Sequence, residues 1–133
     1  MENDRKKPTP RMKIGAAGED AACEFLLGKG HTIIERNFRT GHLEIDLVTL
    51  DGIGVHFVEV KTRVAPVSAQ PEENVTATKQ KRLARAALGY LNRSKDSRLR
   101  GDLEVSFDIV SVTFDGGKTE IEYFPNAWYP VYF

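Results

Sequence analysis

The sequence predicts an α/β fold: a mixed β-sheet flanked by helices, in the order helix, three strands, helix, two strands. Three observations predict it. Two stretches carry apolar residues at helical spacing, one near the start of the chain and one past its middle. Between them lie three short runs rich in β-branched and aromatic residues, separated by glycine-containing turns. The second and third runs are apolar on both faces over part of their length, as strands covered from both sides must be.

Residues 1–11 carry charges and two prolines without apolar periodicity, and are expected to form a flexible arm. A single domain is expected over residues 12–133, a length that can enclose one compact core. The first helix is read from Ile14, Ala17, Ala21, Ala22, Phe25 and Leu26, and ends near Gly28 or Gly30. Glu19 lies at the edge of that stripe, either as a flank residue reaching solvent or as one directed at a site. Strands are expected at Thr32 to Arg39, Leu43 to Leu50 and Val55 to Thr62, with turns at Thr40-Gly41 and Asp51 to Gly54. Arg63 to Asn74 offers almost nothing to pack and reads as a loop of the length that is usually functional or disordered. A second helix runs from Thr76 to Arg93 with Leu83, Ala87, Tyr90 and Leu91 inward. Strands at Leu103 to Phe114 and Lys118 to Phe124 then flank the turn Asp115-Gly116-Gly117.

Composition narrows the functional classes. Lys and Arg number 19, as do Asp and Glu, so net charge points to no partner and any electrostatic argument must be local. Cys23 is the only cysteine, which excludes an internal disulfide and a thiolate zinc cluster. No run approaches the roughly 20 apolar residues of a membrane span, and the first residues lack the apolar run of a secretory signal. The expectation is a soluble, cytoplasmic protein.

The charged residues of the two central strands carry the chemistry. With Leu50 facing Val55 across the turn, the hairpin register sets Asp46 opposite Glu59 and Glu44 opposite Lys61, all on one face. Opposed, buried carboxylates repel and are costly to ionise. One answer is structural: Glu44 pairs with Lys61 while Asp46 is protonated or hydrogen-bonded. The other is a hard divalent cation held by both carboxylates, with the Lys61 ammonium placed to hold water or neutralise developing negative charge.

Asp46, twelve intervening residues, then Glu59-Val60-Lys61 resembles the bipartite motif of the PD-(D/E)xK nuclease superfamily, with Ile45 in place of the motif's proline. A closer resemblance spans Ile14 to Thr113. It rests on Gly15-Ala16-Ala17-Gly18-Glu19 with Ala22, Asn37-Phe38-Arg39, Glu44-Ile45-Asp46-Leu47, Phe57 to Arg63, Lys79-Gln80 and Phe107-Asp108-Ile109-Val110. Those residues resemble the YraN family of uncharacterised bacterial proteins, commonly grouped with Holliday junction resolvases. The resemblance implies a restriction-endonuclease-like three-layer fold. It further implies Glu19, Asp46 and Glu59 as catalytic carboxylates and metal ligands, the Val60 carbonyl as a further ligand, and Lys61 as the catalytic cation. Mg2+ or Mn2+ is the expected cofactor, and Glu44, which the register places on the same face, is an expected accessory group.

Between Lys79 and Arg100 basic residues outnumber the one acid, Asp96. Lys79, Lys81, Arg82 and Arg85 are therefore the candidate phosphate-binding surface, and Gln80 is a candidate contact on the inward side of the same helix. His31, His42 and His56 share no metal-binding spacing and read as incidental. Trp128, Tyr129, Tyr132 and Phe133 read as core-closing or subunit-docking aromatics rather than base-stacking ones. The functional expectation is an endonuclease on structured or branched DNA. The alternatives are a non-catalytic nucleic-acid-binding module of the same fold and a scaffold protein. Symmetric cutting of a branched substrate requires two sites, so a homodimer is expected by analogy.

Overall fold

A computed structural model describes residues 7–66 and 76–129. Its elements are α1 (Pro10–Gly28), β1 (Thr32–Thr40), β2 (Leu43–Leu50), β3 (Gly54–Val64), α2 (Ala77–Arg93), a 3-10 turn (Ser97–Leu99), β4 (Glu104–Asp115) and β5 (Lys118–Trp128). The expected order of helices and strands is the order observed.

The first helix begins inside the stretch expected as an arm. Thr9 caps it, its hydroxyl accepting from the Met12 N–H at 3.1 Å, and Pro10 occupies the first turn, where its missing N–H costs nothing. The signal was Thr9-Pro10, a capping pair that carries no apolar periodicity. The buried face also differs from the expected stripe: Gly18, Ala22, Cys23 and Leu26 face the sheet, while Ala17 is exposed and Ile14 lies at the surface. Gly18 explains the rotation. A Cβ there would lie 2.0 Å from Thr62 Oγ1 and 2.8 Å from Thr62 Cβ, so only a bare backbone lets α1 rest on β3 at this point. Gly18→Ala is expected to cost about 1–3 kcal/mol by overpacking, measured by urea denaturation, with partial recovery in Gly18→Ala/Thr62→Ala. Unchanged stability in the single variant would show the contact to be soft.

The sheet runs β1-β2-β3-β4-β5, with β3 and β4 parallel and every other pair antiparallel. Helix α2 lies in the connection between the parallel strands, which cannot be joined by a tight turn. The two helices cover opposite faces. Ala22, Cys23 and Leu26 of α1 pack on Leu47, Val58, Val110 and Val112. Ala84, Ala87 and Tyr90 of α2 pack on Val48, Val55, Phe57 and Phe107. The result is a three-layer α/β/α arrangement in which Phe57 and Val58, consecutive on β3, serve opposite cores.

The turns follow their chemistry. Asp115 and Lys118 pair across Gly116 and Gly117, whose φ values of 52° and 89° are the left-handed pair a tight hairpin demands. At the β2–β3 turn, Asp51 Oδ1 accepts from the N–H groups of Ile53 and Gly54. Strand β3 runs two residues beyond its expected end, to Val64, because β4 pairs with it throughout. Strand β5 likewise continues to Trp128, which stacks on Phe107 with ring centroids 4.2 Å apart. That aromatic closes the core as expected, whereas Tyr129 is exposed and Tyr132 and Phe133 lie outside the described residues. Residues 67–74 of the expected loop also lie outside them, as do residues 1–6 of the arm. Among the described residues no helix is long and apolar enough to cross a membrane.

Candidate metal and nucleic-acid site

The central hairpin has the expected register over Leu50–Val55, Thr49–His56, Val48–Phe57 and Leu47–Val58, and its ladder stops there, one pair short of Asp46 and Glu59. Beyond that point β3 continues along β4 while β2 continues along β1. The strands part, and the Asp46 carboxylate occupies the opening, its Oδ2 accepting from the Val60 N–H at 2.8 Å. Asp46 and Glu59 are thus not the ladder pair expected. They nevertheless line one cavity of about 80 Å³, together with Glu44 and Lys79. The expected opposition of Glu44 and Lys61 is also corrected. Glu44 pairs with Arg39 of β1 in the ladder and through a 3.1 Å contact from Arg39 Nε to Oε2.

Three carboxylates converge from two elements. Glu19 from α1 and Glu44 and Asp46 from β2 each offer an oxygen, all within 4.8 Å of one another. The close seat of Gly18 on Thr62 brings Glu19 to this end of β3. Arg36 of β1 offsets part of the charge, with Nη2 3.4 Å from Glu19 Oε1 and 3.0 Å from Asp20 Oδ1. Burial pushes the Asp46 carboxyl up to about 6, against the lowering effect of the Val60 N–H. The negative charges of Glu19, Glu59 and Glu44 push it the same way as burial.

Glu59 faces two ammonium groups. Its Oε1 lies 3.3 Å from Lys61 Nζ and 3.4 Å from Lys79 Nζ. Its Oε2 is buried and has no hydrogen-bond partner among the described residues. A buried carboxylate oxygen left without a partner is costly and calls for a ligand. The three convergent carboxylates are a hard, all-oxygen donor set, which fits a Mg2+-type cation and not a thiophilic one, and the orphaned Glu59 oxygen belongs to a residue that lines one cavity with two of them, Glu44 and Asp46.

Helix α2 carries the candidate nucleic-acid surface. Lys79, Lys81, Arg82 and Arg85 are exposed and Gln80 is half-buried, as the helical spacing requires. Lys79 turns inward to Glu59 and so joins the carboxylate site to this surface. Arg82, Arg85 and Arg93 line a shallow groove of about 340 Å³ against Thr40, Gly41 and Leu43 of the β1–β2 turn.

The histidines read as incidental divide. His42 is exposed, but His31 and His56 are buried with ring centroids 4.5 Å apart. His56 Nδ1 lies 2.8 Å from Asp108 Oδ2 and its Nε2 2.9 Å from Asp51 Oδ1. His31 Nδ1 lies 2.8 Å from Thr49 Oγ1. Asp108 also accepts from Tyr123, Ser106 and the Asn126 N–H. Burial pushes the His56 pKa down, but the hydrogen bonds and charges of Asp108 and Asp51 together outweigh it and leave it raised. Burial first, then the charge of His56, lowers that of His31. The hairpin register carries the signal, since it sets His56 opposite Thr49, two residues from Asp51, whereas spacing along the sequence does not show it. Among the described residues two groups can therefore hold a metal ion: Glu19 with Glu44 and Asp46, and His31 with Asp51 and His56.

The chain is similar to curated bacterial proteins along most of its length. A "UPF0102 protein" of Geobacter metallireducens is 39% identical over 115 residues, 86% of this chain and 91% of the relative. Another, of Syntrophomonas wolfei, is 41% identical over 87% of this chain and 97% of its own. One from Bacteroides thetaiotaomicron is 40% identical, with 91% and 96% covered. Among solved structures, that of Pyrococcus furiosus SfsA in complex with Ca2+ aligns over 82% of this chain and 60% of that one. Its TM-score is 0.37 at 18% identity, too distant to bear on function. The model of the uncharacterised protein family UPF0102 matches residues 18–112, from the glycine that seats α1 to the end of the β4 core. The chain belongs to that family, the YraN family whose motifs its sequence carries.

Proposed function

We propose that the protein is a metal-dependent endonuclease acting on structured or branched DNA by phosphodiester hydrolysis. The observation that carries this reading is the buried, unpartnered Oε2 of Glu59, set in one cavity with Asp46 and flanked by two ammonium groups. Asp46, Glu59 and Glu19, with Glu44 and the Val60 carbonyl as further donors, would hold Mg2+ or Mn2+. Bound there, the cation supplies Lewis-acid polarisation of a phosphoryl oxygen.

The protein's own groups do the rest. The Val60 N–H fixes the Asp46 carboxylate in the gap between β2 and β3, so its free oxygen keeps one direction. Lys61, held near Glu59 Oε1, orients the attacking water and neutralises charge developing on the phosphoryl oxygens. Lys79 does the same from the helix side and ties the scissile phosphate to the basic surface of Lys81, Arg82 and Arg85. Gln80, on the inward side of α2, can bond a water of the site. Phosphate contacts of this kind give affinity without base specificity, which suits recognition of DNA shape.

Purified protein with Mg2+ or Mn2+ is expected to cleave a branched DNA, and Asp46→Ala to reduce the rate by at least about 100-fold, since loss of even an outer partner of a metal ligand costs 10- to 100-fold. Arg82→Gln/Arg85→Gln is expected to weaken binding on all sequences and to reduce the salt slope by about 2. Salt-sensitive binding without cleavage of branched, duplex or single-stranded substrates would favour the non-catalytic module instead.

A further inference from the structure

We propose that His31, Asp51 and His56 form a second metal site, for a four-coordinate transition-metal cation of the Zn2+ class. It is separate from the carboxylate site: the two groups share no residue, and His56, three residues before Glu59 on β3, projects to the opposite face from Glu59.

Geometry carries the assignment. The Nε2 atoms of both imidazoles converge on one carboxylate: His56 Nε2 lies 2.9 Å from Asp51 Oδ1, and His31 Nε2 lies 3.6 Å from Oδ2. The three ligand atoms lie within 4.8 Å of one another, a span that a single ion bridges. Two nitrogens and one oxygen suit zinc and its neighbours, whereas the all-oxygen set of Glu19, Glu44 and Asp46 suits magnesium.

A second, independent feature points the same way. A metal-bound histidine nearly always has its other ring nitrogen anchored, and both anchors are present here. His56 Nδ1 is held by Asp108, which is itself fixed by Ser106, Tyr123 and the Asn126 N–H. His31 Nδ1 is held by Thr49. Both rings are therefore fixed with Nε2 directed at Asp51. Asp51 is anchored through Oδ1 by the N–H groups of Ile53 and Gly54, so Oδ2 is the oxygen available to a cation. A cavity of about 290 Å³ adjoins the cluster, bordered by Lys29, Glu104 and Asn126, and leaves room for water as the fourth ligand. On binding, the cation replaces the proton on His56 Nε2, which passes to solvent, while Nδ1–H stays on Asp108.

The test uses the full chain, stripped with EDTA, dialysed and titrated with Co2+ and then Zn2+ in the presence of millimolar Mg2+. One equivalent of Co2+ is expected to give the intense visible absorption of four-coordinate cobalt, and Zn2+ to bleach it. Asp46→Asn/Glu59→Gln, which disables the carboxylate site, is expected to leave that spectrum unchanged, so this site and the proposed nuclease stand or fall separately. Asp51→Asn retains an oxygen for the turn N–H groups and is expected to weaken binding by at least about 100-fold, and His31→Phe to do the same with the fold intact by circular dichroism. The proposal is overturned if no four-coordinate spectrum forms, if it is lost in Asp46→Asn/Glu59→Gln, or if it survives in both folded Asp51→Asn and His31→Phe. In each of those cases His56 is an imidazolium held between two carboxylates and nothing more.

Discussion

In metal-free protein at pH 7.5, Asp46→Asn is expected to melt about 5 to 10 °C above the wild type, and near pH 4 at almost the same temperature. Burial and three neighbouring carboxylates raise the Asp46 pKa from 3.8 to about 6. The folded state thus binds this proton more tightly than the unfolded chain does. Stability therefore falls as pH rises from about 4 to about 6 and remains reduced above that range, the reverse of an ordinary salt-bridged aspartate. A displacement of this size corresponds to roughly 3 kcal/mol. Asparagine removes the penalty and keeps an oxygen for the Val60 N–H, at the cost of a weaker, uncharged hydrogen bond. Millimolar Mg2+ is expected to raise the melting temperature of the wild type but not of the variant, because a dication offsets the charge that asparagine lacks. Differential scanning fluorimetry across pH, with EDTA and with Mg2+, measures both effects. An asparagine variant no more stable than the wild type at pH 7.5 would mean that the four carboxylates do not strain the fold.

The same residues show what a sequence exposes and what it conceals. The order of elements was legible because each strand and helix owes its pattern to local periodicity, and the turn at Asp51 fixed the hairpin register correctly as far as Leu47–Val58. The parting of β2 and β3 at Asp46 was not legible. It depends on β3 choosing β4 as its partner, whose paired residues lie 50 positions further along the chain. Glu44 was misassigned for the same reason, since its partner Arg39 belongs to the strand on the other side. Gly18 stands in the family motif, but its packing role was not legible, because an apolar stripe is read from side chains and its contribution is that it has none. The role proposed for Glu19 rested on family resemblance alone at the level of sequence, because nothing at its position in the stripe distinguishes a ligand from a solvated flank.

The buried network around Asp108, invisible to spacing rules, carries the second large effect: Asp108→Ala is expected to cost about 3–5 kcal/mol, as the loss of one member of a buried ionic group does. Asp108 is 1% exposed and sits where β4 and β5 fall out of register. Phe107 pairs with Trp128 and Ile109 with Phe124, so Pro125, Asn126 and Ala127 bulge opposite the one residue Asp108. Its carboxylate fills the bulge. It accepts from the N–H of Asn126, a residue at φ 50°, from Tyr123 and Ser106, and from His56 Nδ1 at 2.8 Å. Alanine would take away the partner of His56 Nδ1, of the Tyr123 phenol and of the Asn126 N–H, and would release the end of β5 that holds Trp128 over Phe107. The pH dependence follows from both partners. The lowered pKa of Asp108 gives stability present above the unfolded value near 3.8 and lost as pH falls through the lower folded value. The raised pKa of His56 gives stability fully present below its unfolded value of 6.5 and lost as pH rises through the higher folded value. The deficit of Asp108→Ala in EDTA is therefore expected to be greatest between about pH 4 and 6.5 and to shrink on either side. Urea denaturation at pH 5.5 and pH 9 measures it, and hydrogen exchange at Asn126 to Trp128 should rise together with the deficit. A loss below about 1 kcal/mol at pH 5.5 would mean that water replaces the carboxylate and that the bulge is held by its flanking strand pairs alone.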